Sequence, residues 1–202
     1  MIKTLTIACL AGSMMMTAAV AGPTSSGKSG KGVVAPPPPA PACPGGISYS
    51  NVGLDWNHTW VDGDGDDIDG VNFDVSYAII DKLYVHGTAS WADAVNSEWG
   101  FTAGLGYGIP LVKNLDFVVE AGGFWADEGD DDGWYVFPHL RGKWGCLELH
   151  AGAKYLSPDN GDELWEAHVN AYYEVCANTD IHIGGIFGED ASTLQVGVRY
   201  KF

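Results

Sequence analysis

Between Ile47 and Phe202 apolar side chains recur at every second position, run after run. That period belongs to an extended chain with one apolar and one polar face, and no stretch shows a helical period in its place. VNFDVSYAI sets Val71, Phe73, Val75, Tyr77 and Ile79 against Asn72, Asp74, Ser76 and Ala78. LELHAGAKY sets Leu147, Leu149, Ala151, Ala153 and Tyr155 against Glu148, His150 and Lys154. The pattern predicts ten strands over 48–60, 70–80, 83–92, 98–109, 115–126, 134–142, 146–156, 164–176, 181–188 and 193–202.

The links between the runs alternate in kind. VDGDGDDID, ADAVNSE, DEGDDDG, SPDNGDE and GEDAS form one set; IDK, PLVKN, GKWG and ANTD form a shorter one. Of the 26 acids in the chain, 17 lie in the first set, which carries no Lys or Arg. The second holds Lys82, Lys113 and Lys143, with Arg141 beside them. Every second link therefore lies at the same end, and that end is acidic. An even number of antiparallel strands joined in this way predicts an all-β, up-and-down barrel of about 10 strands. The formal charge of −16 speaks against nucleic acid as a partner.

Tryptophan decides which face meets lipid. Trp56, Trp60, Trp91, Trp99, Trp125, Trp134 and Trp165 lie near strand ends beside the acidic links, while Trp144 lies at a short turn. Tyr107, Phe117, Tyr173, Tyr200 and Phe202 fall toward the short-turn side. Two aromatic belts at two membrane–water interfaces have this distribution; a soluble barrel gives no reason to gather Trp at one end. The opposite face becomes the lumen: Asp74, His86, Glu120, His139, Arg141, Glu148, His150, Lys154, His168, Glu174, His182 and Arg199. A polar interior in an apolar exterior suits a bilayer, which hydrates neither charges nor open sheet edges.

The two ends fit this scheme. MIKTLTIACLAGSMMMTAAVAG has an early cation, an apolar core and Ala19-Val20-Ala21, which predicts a signal peptide, 1–21, cut after Ala21. Cys9 sits inside the apolar core, which argues against a lipoprotein. Residues 22–46 are rich in Gly, Ser and Pro, and are predicted to be a periplasmic linker, extended at PPPP. Lys28 and Lys31 give it an affinity for an anionic cell-wall polymer at most; a plain tether is favoured. The barrel then occupies 47–202. LQVGVRYKF alternates to the final residue, as a closing strand paired to the first requires.

The terminal VGVRYKF, the short Asp/Lys turns and strands such as LYVHGTASW resemble the small, porin-like outer-membrane barrels of the opacity/OmpA-like family. The resemblance covers 47–202 and is architectural. It implies a cell-envelope protein of the outer membrane, in contact with outer-membrane lipid and monomeric. It also implies an assembly signal, here Val198, Tyr200 and Phe202, read by the barrel-assembly machinery. Many small relatives have eight strands against the ten counted here, and eight remain an alternative if two of the runs are merged or false.

Several constellations invite chemistry. DGDGDDIDG suggests a calcium loop, but counting from Asp62 puts Asp67 and Phe73 where Gly and Glu belong, so the EF-hand pattern fails. Weak binding of divalent cations by the acidic links stays open beside a merely solvated rim. The lumenal histidines lack metal-site spacing; hydrogen bonding, sensitive to mild acid, is expected of them, and neither metal nor cofactor is predicted. His86 and Ser90 share a face but lie about 13 Å apart along a strand. Glu166 and His168 have no evident serine partner. Catalysis is therefore not expected.

Three cysteines follow the predicted cut: Cys43, Cys146 and Cys176. A hairpin centred on Gly161 places Cys146 opposite Cys176, but also Glu148 opposite Glu174. A shift of two residues pairs Lys154 with Glu166 and separates the cysteines. Both registers stand open, with Cys43 as an alternative partner. Tyr84, Phe124, Tyr135, Phe137 and Tyr172 point inward by parity, and Gly100, Gly104, Gly106 and Gly108 could receive such rings. A mostly filled lumen is expected. The reading is a non-enzymatic barrel with a structural or surface-interaction role. A narrow cation-preferring channel is the alternative, and an outer-membrane lipid-modifying enzyme is third.

Overall fold

The ten alternating runs become ten strands: β1 (Asn51–Val61), β2 (Ile68–Ile80), β3 (Leu83–Asp93), β4 (Ser97–Val112), β5 (Leu115–Ala126), β6 (Gly133–Trp144), β7 (Leu147–Pro158), β8 (Leu164–Cys176), β9 (Thr179–Phe187) and β10 (Ala191–Lys201). The computed structural model describes residues 43, 46–63, 66–93, 97–126 and 132–202. The expected signal peptide, and the expected linker apart from Cys43 and Gly46, lie outside the described residues.

The strands pair antiparallel in chain order, and β1 pairs with β10 to close the barrel. At that seam Leu54 stands opposite Val198 and Trp56 opposite Val196. The Phe202 N–H donates to the Ser50 carbonyl at 3.1 Å and extends the seam by one step. Closure leaves no strand edge unpaired, which a bilayer demands.

Two-residue links join β2 to β3, β4 to β5, β6 to β7 and β8 to β9. Lys82 and Asn178 take left-handed backbone there, with φ of 64° and 65°. The link carbonyls bond onward into the next strand, Lys82 accepting from the Gly108 N–H at 2.9 Å and Asn178 from the Lys201 N–H at 2.7 Å. Pro138 has no N–H to give, and the β6–β7 pairing passes from Val136–Tyr155 directly to His139–Gly152.

The polarity is inverted relative to a soluble domain. Phe73, Tyr77, Leu105, Val169, Ile183 and Val198 are exposed, whereas Asp116, Glu148, Asp180 and Arg199 are buried. Only a lipid surround makes that distribution favourable, so the fold is a transmembrane up-and-down barrel. Trp56, Trp60, Trp99, Trp125, Trp134 and Trp165 are exposed on its outside. Trp91 is half-buried opposite Trp99. Val198, Tyr200 and Phe202 also face outward.

Strand ends shift by up to three residues from expectation, β4 for example running to Val112 rather than 109, and the start of β1 is the shift that matters here. The first strand begins at Asn51 rather than 48. Residues 46–49 leave the wall and cross the inside of the barrel, where Tyr49 finds inward-facing partners on the far side.

Candidate functional site: the lumen

Alternate side chains of every strand point inward, and the charged ones gather toward the short-turn end. Seven form one network. Glu148 accepts from Arg141 Nε at 2.7 Å and from the two terminal nitrogens of Arg199 at 3.2 and 3.0 Å. Arg199 reaches on to Asp180 through Nε at 2.8 Å. Lys201 donates to Asp180 at 2.8 Å and to Glu174 at 2.7 Å, and Lys143 donates to Glu174 at 3.2 Å. None of the seven is more than 6% exposed. Charges so far from water persist only when each has partners of opposite sign. The network lines the wall from β6 to β10.

The wall from β2 to β6 is covered instead by the strap, residues 46–49. Tyr49 stacks on Tyr84 with ring centres 4.9 Å apart, and its hydroxyl donates to Asp116 at 2.7 Å. Asp116 also accepts from Lys82 at 3.0 Å. The Ser76 hydroxyl donates to the Tyr49 carbonyl at 2.8 Å. Arg141 donates to the Ser48 carbonyl at 2.5 Å. Burial, together with the bond to the Asp116 carboxylate, pushes the Tyr49 phenol above its ordinary pKa. Ile47 packs on the Tyr49, Tyr84 and Val118 cluster.

Glycine on β4 makes room for these rings. A Cβ on Gly106 would meet the Tyr84 ring, one on Gly108 the Tyr49 ring, and one on Gly104 the Tyr135 hydroxyl. The inward parity of Tyr84 and Tyr135 and their seating on this glycine row follow the sequence expectation; Tyr49 is an addition to it.

Above the strap lies a cavity of about 190 Å³ whose lining includes Asp55, Asp74, Glu120, His182, Arg141 and Arg199. Imidazoles and aromatic rings stack around it: Tyr172 on His182 at 4.4 Å, His150 by Tyr172 at 4.8 Å, and Phe137 on His139 at 4.4 Å. His182 Nδ1 lies 2.5 Å from Asp55, and Glu120 accepts from the Tyr84 hydroxyl. Among the described residues, the ion-pair partners of Asp55 and Glu120 are His182 and His86 rather than Lys or Arg.

The expected lumenal groups do lie inside. Arg141, Glu148, Glu174 and Arg199 enter the ion-pair network, while Asp74, His86, Glu120, His139 and His150 line the cavity. Lys154 sits 4.7 Å from the centre of the Tyr135 ring, and His168 bonds to Glu166 at 3.0 Å. Asp55, Asp116, Lys143, Asp180 and Lys201 are further members that the sequence reading left out. Parity could have found them: Lys143 and Lys201 each lie two residues beyond a lumenal Arg. Lys143 was expected in a turn, but the link is only Gly145-Cys146, so Lys143 is still in β6.

The cysteine pairing is corrected. Cys146 is joined to Cys43, with Cα atoms 5.1 Å apart, and Cys176 is an exposed free thiol. The β7–β8 hairpin takes the register that sets Lys154 opposite Glu166, so Cys146 faces Glu174, whose N–H donates to the Cys146 carbonyl at 2.9 Å, and Cys176 lies two residues beyond. Cys43, expected within a free tether, is a covalent anchor.

His86 and Ser90 do not meet, whereas Glu166 and His168 do. The Ser90 hydroxyl donates to the Gly100 carbonyl at 3.2 Å, and His86 bonds to the Tyr135 hydroxyl at 2.7 Å. His58 faces outward between Trp56 and Trp60, with Nδ1 2.9 Å from Asp69. Among the described residues no group of three or more His, Cys, Asp or Glu is placed to hold a metal ion.

No family model matches the chain, and no curated protein matches it. Among solved structures, the KdgM porin is similar at 12% identity and a TM-score of 0.48, over 74% of this chain and 99% of that one. An outer membrane channel from Pseudomonas putida F1 gives 11% and 0.48, over 82% and 99%. Outer membrane phospholipase A from Escherichia coli gives 10% and 0.41, over 76% and 91%. These likenesses concern the barrel architecture.

Proposed function

We propose that the chain is a monomeric, non-enzymatic β-barrel of the outer membrane with a structural or surface-interaction role. The observation that carries this reading is the way the lumenal charges are used. Arg141, Glu148, Arg199, Asp180, Lys201, Glu174 and Lys143 are paired chiefly with one another, which ties β6 through β10 into one wall. In this reading the short turns face the periplasm and the acidic links face outward. Outer-membrane lipid contacts the apolar face, divalent cations gather weakly at the acidic rim, and the assembly machinery reads Val198, Tyr200 and Phe202. The kinship with opacity/OmpA-like barrels rests on that terminal strand and the short turns; ten strands set this barrel apart from relatives with eight.

The central cavity favours a second reading, a narrow cation-preferring channel, because Asp55, Asp74 and Glu120 line it. Mobility in SDS tests the first reading. Unboiled protein extracted from outer membranes is expected to run at a different apparent mass from boiled protein. Recovery from the soluble fraction without such a shift would sink it. Conductance in a planar bilayer separates the channel from the structural role.

A further inference from the structure

The short-turn end of the lumen is closed by two unlike halves. The wall from β6 to β10 carries its own ion pairs, which belong to the strands. The wall from β2 to β6 is closed by a segment that belongs to no strand. Tyr49 packs against the lining of the central cavity there: Ser76, Tyr84 and Arg141 line the cavity, and all three touch Tyr49. Its ring rests where Gly108 gives the wall no side chain. Below it, the Cys43–Cys146 disulfide fixes the segment to the turn between β6 and β7. Ser50, by contrast, already belongs to the wall, accepting from Phe202 and bonding the Ala78 N–H at 3.1 Å. A swing about the junction of Tyr49 and Ser50 would therefore take away the packing behind that lining without breaking the barrel seam.

We propose that residues 46–49 are a lumenal stopper and that the Cys43–Cys146 disulfide is its latch. Opening the latch lets the stopper swing out and joins the cavity to the short-turn end as a narrow cation path. The chemistry is thiol–disulfide exchange with a dithiol. One thiolate attacks a sulfur of the latch and displaces the other cysteine as thiolate; the second thiol of the reagent then resolves the mixed disulfide. Both cysteines end as thiols, and the dithiol ends as a disulfide. While Arg141 and Arg199 in the lining stay paired with Glu148, the wall exposed by this swing carries Asp116, released from Tyr49 but still paired with Lys82, and Glu120 beyond it. These acids, with Asp55 and Asp74, favour cations over anions. The inference rests on the membrane-barrel reading above.

Planar-bilayer recording of the full chain tests it, with dithiothreitol as the dithiol and a potassium chloride gradient across the membrane. The oxidised protein is expected to be silent. Reduction is expected to produce discrete conductance steps with a reversal potential of the sign for potassium, and reoxidation to abolish them. Tyr49→Ala is expected to conduct without reductant, and Cys43→Ser/Cys176→Ser to conduct with or without it. Unchanged silence in reduced protein that keeps its unboiled SDS mobility would overturn the latch, since the stopper would then stay seated. Loss of that mobility on reduction would overturn it too, by making the disulfide a staple of the whole barrel. Absence of the mobility shift in oxidised and reduced protein alike marks failure of the membrane-barrel reading itself.

Discussion

Arg141 lies over the face of Tyr49, with the guanidinium carbon 4.7 Å from the ring centre, and so joins the strap to the ion-pair wall. On its other side it donates to Glu148 at 2.7 Å. Glu148 in turn holds Arg199. Glu148→Ala would leave two guanidinium groups buried with one carboxylate fewer between them. The expected loss is about 3–5 kcal/mol, read from urea unfolding in lipid vesicles. A loss below 1 kcal/mol would mean that water reaches this wall freely.

The glycine row on β4 is a packing requirement. Gly106→Ala drives a methyl into the Tyr84 ring and is expected to destabilise the barrel by about 1–3 kcal/mol. Tyr84→Leu in the same background should recover part of that loss. A double-mutant cycle without coupling between the two sites would contradict their contact.

On the outside the same strand meets lipid. Leu105, midway along β4, is 54% exposed. Leu105→Arg is expected to cost about 2–4 kcal/mol in vesicles, falling toward zero for an Arg placed at the acidic rim. Equal costs at both depths would argue against a bilayer surround.

The disulfide can be checked directly. Non-reducing digestion with mass spectrometry is expected to yield a peptide pair linked through Cys43 and Cys146, and Cys176 is expected to react with a maleimide before reduction. A pair linked through Cys146 and Cys176 would reverse the assignment and remove the latch.

Much of this barrel is legible in the sequence because a two-residue period is unforgiving. A one-residue slip would turn Phe73, Val75 and Tyr77 inward and Asp74 into lipid, so parity assigns faces without coordinates. The β7–β8 register was not legible, since the two candidates differ by two residues and both preserve parity. Lys143 was misplaced because turn length, unlike face, leaves no periodic trace. The strap was invisible for a similar reason: GGISYSN has too few residues to show a period, and Tyr49 is identified only by partners that lie far along the chain, at Tyr84 and Asp116.

The seam between β1 and β10 bears on the order of assembly. Before β10 docks, three acids of the inner wall, Glu148, Glu174 and Asp180, face two cations, Arg141 and Lys143. β10 then brings Arg199 and Lys201, which pair with all three acids. The unfinished sheet therefore carries a surplus negative charge on its concave side, and the final strand is its counterion. A foreign strand without cations two residues apart would leave those three acids short of partners, so the wall is complementary in sign to its own last strand.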